Sequence, residues 1–178
     1  MINYKILDDS IHFYEQKGFK RIESPWTVTK YIDDITKPKG QISFQLKHND
    51  KCLVASGEQS FLYLYLKDFL PKGSYQTITP CYRYEGFDFL HTKYFMKNEL
   101  IKTDVVNGRE LENIVSNSYE FFSTFFKEGL NVKKTNEGFD IEYKGNELGS
   151  YGIRSCEFLE WIYGTGVAEP RLSNLLKN

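Results

Sequence analysis

The sequence predicts an α+β domain built on an antiparallel β-sheet flanked by helices. Two β-rich runs, Tyr75–Tyr84 and Tyr94–Lys102, flank a polar, glycine-containing break at Glu85–Thr92. That is a hairpin pattern with a loop longer than a tight turn. Val132–Lys134 and Phe139–Tyr143 repeat the pattern around Thr135–Gly138. Between the two hairpins, Gly108–Gly129 carries Leu111, Ile114, Val115, Phe121, Phe122 and Phe125 on one stripe. The stripe marks a long amphipathic helix that packs by that face, with Gly129 closing it.

The remaining elements follow in chain order. Ile6–Lys17 places Ile6, Leu7, Ile11 and Tyr14 at helical spacing, and Gly18 stops the helix. Phe19–Glu23 alternates as a strand and ends at Ser24-Pro25. Tyr31–Gly40 is polar and ends in Pro and Gly, which predicts a connection. Gln41–Leu46 and Lys51–Ala55 are strand-like around His48-Asn49-Asp50, and Gln59–Phe69 is helical. Ser56-Gly57-Glu58 stands just ahead of that helix, where Ser caps orphan N–H groups and Glu favours the first turn. Gly164–Leu172 is a glycine-rich strand end leading into a proline-initiated helix.

A length of 178 residues fits one domain with a substantial core, so residues 1–178 are taken as a single domain. Hydrophobic residues at 40% and aromatics at 16% argue for a folded globule and against disorder. A formal charge of −1 argues against broad electrostatic capture of nucleic acid, while leaving room for a local basic cleft. Cys52, Cys81 and Cys156 show no paired spacing, and their odd number fits a reducing compartment. No run approaches the ~20 apolar residues of a membrane span, and Met1–Asp9 has no apolar signal core. The expectation is a soluble, cytoplasmic protein with no membrane partner.

The charges of the first hairpin are unusual for a buried strand pair. Arg83 and Glu85 are two apart and share one face, as do Phe95 and Glu99, four apart on the second strand. If the faces coincide, an Arg, two carboxylates and an aromatic ring converge, with His91 at the rim. An Arg fork suits phosphate or carboxylate, and an exposed ring suits a planar base. This outlines a nucleotide site.

These residues carry a resemblance. The stretch T-P-C-Y-R-Y-E…H-T-K-Y-F-M-K-N-E-L, Thr79–Leu100, resembles motif two of the class II aminoacyl-tRNA synthetases, in a form similar to the seryl branch. G-T-G-V-A-E-P-R-L, Gly164–Leu172, resembles motif three. Helix, glycine, strand and proline over Ile6–Pro25 resemble motif one, the family's dimer element, and are equally an ordinary αβ unit. Ser56-Gly57-Glu58 resembles the T-x-E element of the seryl branch, with Ser in place of Thr. Glu147-Leu148-Gly149-Ser150 has the E-x-x-S spacing of the family's metal element, and would otherwise be exposed side chains of a polar loop. The likeness runs from Ile6 to Leu176. It implies a class II synthetase-like core without anticodon-binding or coiled-coil tRNA-binding domains.

The resemblance implies attack of an amino-acid carboxylate on the α-phosphorus of ATP. Arg83 would meet the α-phosphate and the substrate carboxylate, and Arg171 the γ-phosphate, making these two the catalytic candidates. Glu85, His91, Phe95, Gly164 and Gly166 would complete the ATP site, with Glu147 and Ser150 holding Mg²⁺. Ser56, Glu58, Arg83 and Glu99 would bind a small amino acid. His91 departs from the seryl branch, which commonly has Arg there. Some relatives hold Zn²⁺ with two Cys and one Glu; Cys52, Glu99 and Cys156 are the candidates, against simple burial of the cysteines. The implied function is ATP-dependent amino-acid activation in a homodimer, with a carrier protein, a small molecule or a tRNA as acceptor. The alternative is an inactive paralogue that binds amino acid or nucleotide and regulates a partner enzyme.

Overall fold

Nine strands and five helices are present among the described residues, 1–37, 40–84 and 93–177, of this computed structural model. The central hairpin is β4 (Ser74–Tyr82) with β5 (Tyr94–Lys102), in antiparallel register from Ser74↔Lys102 to Tyr82↔Tyr94. Outside β4, β1 (Lys20–Arg21) pairs in parallel. Beyond β5 come β9 (Glu160–Glu169), β8 (Asn146–Ser155), β7 (Gly138–Tyr143) and β6 (Leu130–Lys134), all antiparallel. The sheet order is β1-β4-β5-β9-β8-β7-β6, and β2 (Thr27–Thr29) with β3 (Lys51–Leu53) makes a separate two-stranded ribbon. The α+β architecture and the mainly antiparallel sheet are as expected.

Helices cover the two faces of the sheet unequally. In α1 (Tyr4–Gln16), the Asn3 side chain accepts from Lys5 N at 3.1 Å, and Gly18 at φ +89° ends the element. In α4 (Gly108–Ser123), Asn107 accepts from Glu110 N at 2.9 Å. Both helices pack on Leu100, Tyr151, Ile162 and Val167. Because strand side chains alternate, Ile101, Trp161 and Tyr163 point to the opposite face. There they meet Val28, Ile32, Val54, Phe61 and Leu62 from β2 and the connection after β3, from α2 (Lys30–Thr36), and from α3 (Gly57–Leu66).

The chain ends are tied together by one buried carboxylate. Glu169 accepts from Asn3 N at 3.0 Å, Ser173 N at 3.1 Å and Ser173 Oγ at 2.6 Å, so it joins the start of α1 to α5 (Arg171–Leu175). Three donors satisfy a charge that burial would otherwise make costly.

Several local expectations change. The first part of Tyr31–Gly40 is the helix α2, because Ile32 packs in the core and buried Asp33 is held by Gln59 Nε2 at 3.0 Å and Lys37 Nζ at 3.1 Å. Gln41–Leu46 forms a single bridge, Gln45↔Cys52, instead of a strand. The long helix ends at Ser123, where the Thr124 hydroxyl donates to Phe121 O at 2.7 Å and the chain turns toward β6. Glu147–Ser150 lies inside strand β8, not in a loop.

Candidate active site

The site is on the α2/α3 side of the sheet. Phe95, Lys97 and Glu99 share one face of β5, opposite Cys81, Thr79 and Thr77 of β4. Arg83 continues that ladder past the end of β4, its N–H donating to Lys93 O at 3.0 Å. Its Nε donates to Ala55 O at 3.0 Å, and its guanidinium carbon lies 5.2 Å from the centre of the Phe95 ring. The convergence of Arg83 with Phe95, expected from strand parity, is present. It also ties the hairpin to the segment that starts α3.

A cavity of about 250 Å³ opens beside this pair. Ser56, Glu58, Arg83, Phe95, Glu147, Ser150 and Arg171 all line it, together with Gln59, Lys97, Arg154, Tyr163 and Thr165. Residues from α3, β5, β8, β9 and α5 thus meet in one place with Arg83, just past β4, although 115 positions separate Ser56 from Arg171 in the sequence.

Carboxylates dominate the deep end. Ser56 is the N-cap of α3, its Oγ accepting from Glu58 N at 3.3 Å, and the same hydroxyl donates to Glu99. Glu99 is 1% exposed and also receives Lys97 Nζ at 2.8 Å. Glu58 is equally enclosed: one oxygen accepts from Trp161 Nε1 at 2.6 Å, the other from Arg154 Nη1 at 2.8 Å. Burial holds the Glu58 carboxyl above the usual carboxylate range, and the Arg154 charge and the Trp161 N–H pull against it.

At the other end, Arg171 Nη1 donates to Glu147 Oε1 at 2.8 Å, at the first turn of α5. Ser150 accompanies Glu147 on the cavity wall, and its N–H donates to Thr165 Oγ1 at 3.3 Å. Asp140 of β7 stands opposite Ser150 in the register. Burial raises its carboxyl above the ordinary range, and nearby Glu147 adds to the effect while a hydrogen bond with Ser150 opposes it. Glu147 and Ser150 are oxygen donors of the type that Mg²⁺ takes, and Glu147 is here engaged by Arg171.

Three expectations need correction or restriction. Gly164 and Gly166 face the helices, away from the cavity. A Cβ on Gly164 would stand 2.8 Å from Tyr151 Cδ1, and one on Gly166 would stand 2.9 Å from Tyr14 Cε2. The residue between them, Thr165, faces the cavity instead. Cys52, Glu99 and Cys156 do not assemble: among the described residues no three His, Cys, Asp or Glu side chains are grouped to hold a metal. Cys52 is buried in the β2–β3 ribbon, and Cys156 packs against the α2/α3 core, so both cysteines are packing residues. Glu85 and His91 lie outside the described residues.

Lys97, Arg154, Trp161, Tyr163 and Thr165 belong to the site and are not singled out by the sequence pattern. Lys97 was legible, since it lies between Phe95 and Glu99 on the same strand face. Arg154 was not, because the strand that carries it was not apparent.

No family model and no curated protein matches the chain. Solved structures do. The seryl-tRNA synthetase of Pyrococcus horikoshii complexed with ATP aligns with a TM-score of 0.74 at 16% identity, over 96% of this chain and 50% of its own. The cytoplasmic serine-tRNA ligase of Naegleria fowleri in complex with AMP gives 0.71 at 19% identity, over 95% and 52%. A pyrrolysyl-tRNA synthetase from Desulfitobacterium hafniense gives 0.73 at 18% identity, over 98% and 69%. The chain spans about half the length of the two seryl enzymes. Its fold is that of a class II aminoacyl-tRNA synthetase catalytic core.

Proposed function

We propose that the chain activates an α-amino acid with ATP, forming an aminoacyl adenylate and releasing pyrophosphate. The observation that carries this reading is the meeting of Arg83, Phe95 and Arg171 with the Glu58 carboxylate around one cavity, with Glu99 buried behind the lining residues Ser56 and Lys97. In the reaction a carboxylate oxygen of the amino acid attacks the α-phosphorus. The bond to the bridging oxygen of the β-phosphate breaks, and pyrophosphate leaves with that electron pair. Negative charge gathers on the phosphoryl oxygens, so fixed cations already in place lower the barrier without reorganisation.

The Ala55 carbonyl holds Arg83 over the Phe95 ring; Arg83 would meet the α-phosphate and the substrate carboxylate, and Phe95 would stack on adenine. Arg171, at the far end, would exchange its Glu147 contact for the terminal phosphate. Glu147 and Ser150 would hold Mg²⁺, which when bound supplies further neutralisation of the phosphates. Glu58 and Glu99 would receive the α-ammonium. Glu85 and His91 keep their proposed ATP contacts as part of the same assignment.

A homodimer is part of the proposal, formed through the Ile6–Pro25 region. Its support is a cleft of about 750 Å³ lined by the apolar Tyr4, Ile22, Trp26, Ile78 and Met96 and by the polar Arg21, Glu23, Ser24, Thr27 and Thr77, with Trp26 56% exposed. The adenylate would pass its acyl group to a carrier protein, a small molecule or a tRNA. No helix among the described residues is long and apolar enough to cross a membrane; a cytoplasmic setting is proposed from the unpaired cysteines.

The second reading is a regulator that binds amino acid or nucleotide without chemistry. It is favoured by the ion pairs that already engage Glu58, Glu99 and Glu147 with Arg154, Lys97 and Arg171. Amino-acid-dependent exchange of labelled pyrophosphate into ATP, run with each of twenty amino acids and Mg²⁺, separates the two. Exchange with one or a few small amino acids supports activation. Absence of exchange from folded protein supports the regulator.

A further inference from the structure

Arg154 is held at three points, with its side chain 33% exposed. Its Nη1 donates to Glu58 at 2.8 Å, its Nη2 donates to Glu137 at 2.9 Å, and its guanidinium carbon lies 4.1 Å from the centre of the Tyr163 ring. Room for that stack is provided by Gly152, where a Cβ would stand 2.7 Å from the Tyr163 hydroxyl and 2.4 Å from Glu137 O. Tyr163 can therefore lean across β8, with the Arg154 guanidinium over its ring. On the opposite side of Glu58, the fully buried Trp161 donates its indole N–H at 2.6 Å. The carboxylate is gripped from two directions while its residue still lines the cavity.

We infer that Arg154 is a positioning residue: by gripping Glu58 against Trp161, it sets the carboxylate in the orientation that receives the α-ammonium of the amino acid. This role rests on the activation reading. An Arg fork is suited to it, because a planar guanidinium stacked on a ring and hydrogen-bonded at both ends has little freedom left. Lysine keeps the charge but neither the fork nor the stack. Glu137, on the exposed end, serves as an outer brace, its side chain 68% accessible against 4% for Glu58.

The test uses two readouts on the unmodified chain and on Arg154→Gln, Arg154→Lys and Glu137→Gln. The first is the pair of indole N–H signals in the ¹⁵N spectrum, from Trp26 and Trp161. Arg154→Gln is expected to move the Trp161 signal and leave Trp26 in place, with Arg154→Lys intermediate and Glu137→Gln close to the parent. The second is pyrophosphate exchange. Arg154→Gln is expected to raise KM for the accepted amino acid by about tenfold to a hundredfold, the range set by loss of a charged hydrogen bond. The kcat and the KM for ATP should stay within about twofold, because the phosphate contacts are untouched.

An unmoved Trp161 signal in folded Arg154→Gln overturns the inference, as does a fall in kcat with the amino-acid KM unchanged. A variant that accepts a different set of amino acids at unchanged KM also overturns it, by making Arg154 a direct side-chain contact. If Arg154→Gln fails to fold, Arg154→Lys decides on the same two readouts. If the unmodified chain catalyses no exchange, the activation reading fails alone, and the grip on Glu58 is judged by the Trp161 signal.

Discussion

Ser56 caps the first turn of α3 and with the same hydroxyl donates to Glu99 on β5. One side chain therefore joins a local duty to a long-range one, since 43 positions separate the partners. The cap and the site are the same object. Gly57, next in the chain, makes this approach feasible: a Cβ there would stand 2.8 Å from Glu99 Cβ.

Replacing Ser56 with Ala should act on both duties. Loss of the cap costs about 1 kcal/mol, equivalent to about 2–4 °C in Tm for a chain of this size. The Glu99 carboxylate also loses a donor, so amino-acid KM should rise while KM for ATP holds. Thermal unfolding and exchange kinetics on one preparation check both.

Arg83→Ala and Arg171→Ala should each lower exchange by about a hundredfold or more, the scale of removing a preorganised charge stabiliser. Unfolding should be affected little at Arg171, which makes a half-exposed pair with Glu147 of the kind worth about 0–1 kcal/mol. Normal exchange by either variant would remove that arginine from the mechanism.

The raised carboxyl of Glu58 sets a sign for pH dependence. A folded-state value above the unfolded one means that the folded chain binds the extra proton between the two. This group's contribution to stability is thus largest at acid pH and falls as pH rises through that window. The stability difference between parent and Glu58→Gln should decline across the same interval, in urea melts taken at successive pH values. Amino-acid binding should run oppositely, weakening as pH falls and the carboxylate is protonated.

Gly164→Ala and Gly166→Ala should destabilise the fold by about 1–3 kcal/mol, because the new methyl meets Tyr151 or Tyr14 in the helix-side core. The KM for ATP of the folded fraction should be preserved. A raised KM with an unchanged Tm would return these glycines to the nucleotide site.

Trp26→Glu should convert a dimer to a monomer in sedimentation velocity, since it removes an exposed ring from the cleft and adds a second carboxylate beside Glu23. A parent chain that sediments as a monomer would remove the proposed interface.

Local periodicity by itself determined much of this protein. Period two put Phe95 and Glu99 on one strand face, period 3.6 identified α1 and α4, and Asn3 and Asn107 cap those helices from the adjoining positions. These are interactions between near neighbours, so the order of residues specifies them directly. Tertiary structure alone decided the depth of the site. Arg154 and Trp161 reach Glu58 across 96 and 103 positions, Arg154 from β8, whose cavity face carries Ser150, Gly152 and Arg154 and so shows no apolar alternation. The helix α2 looks like a loop until Gln59, 26 positions on, satisfies the buried Asp33. A polar side chain in a sequence looks the same whether its partner is water or another residue, and only the folded chain supplies the partner that makes its burial affordable.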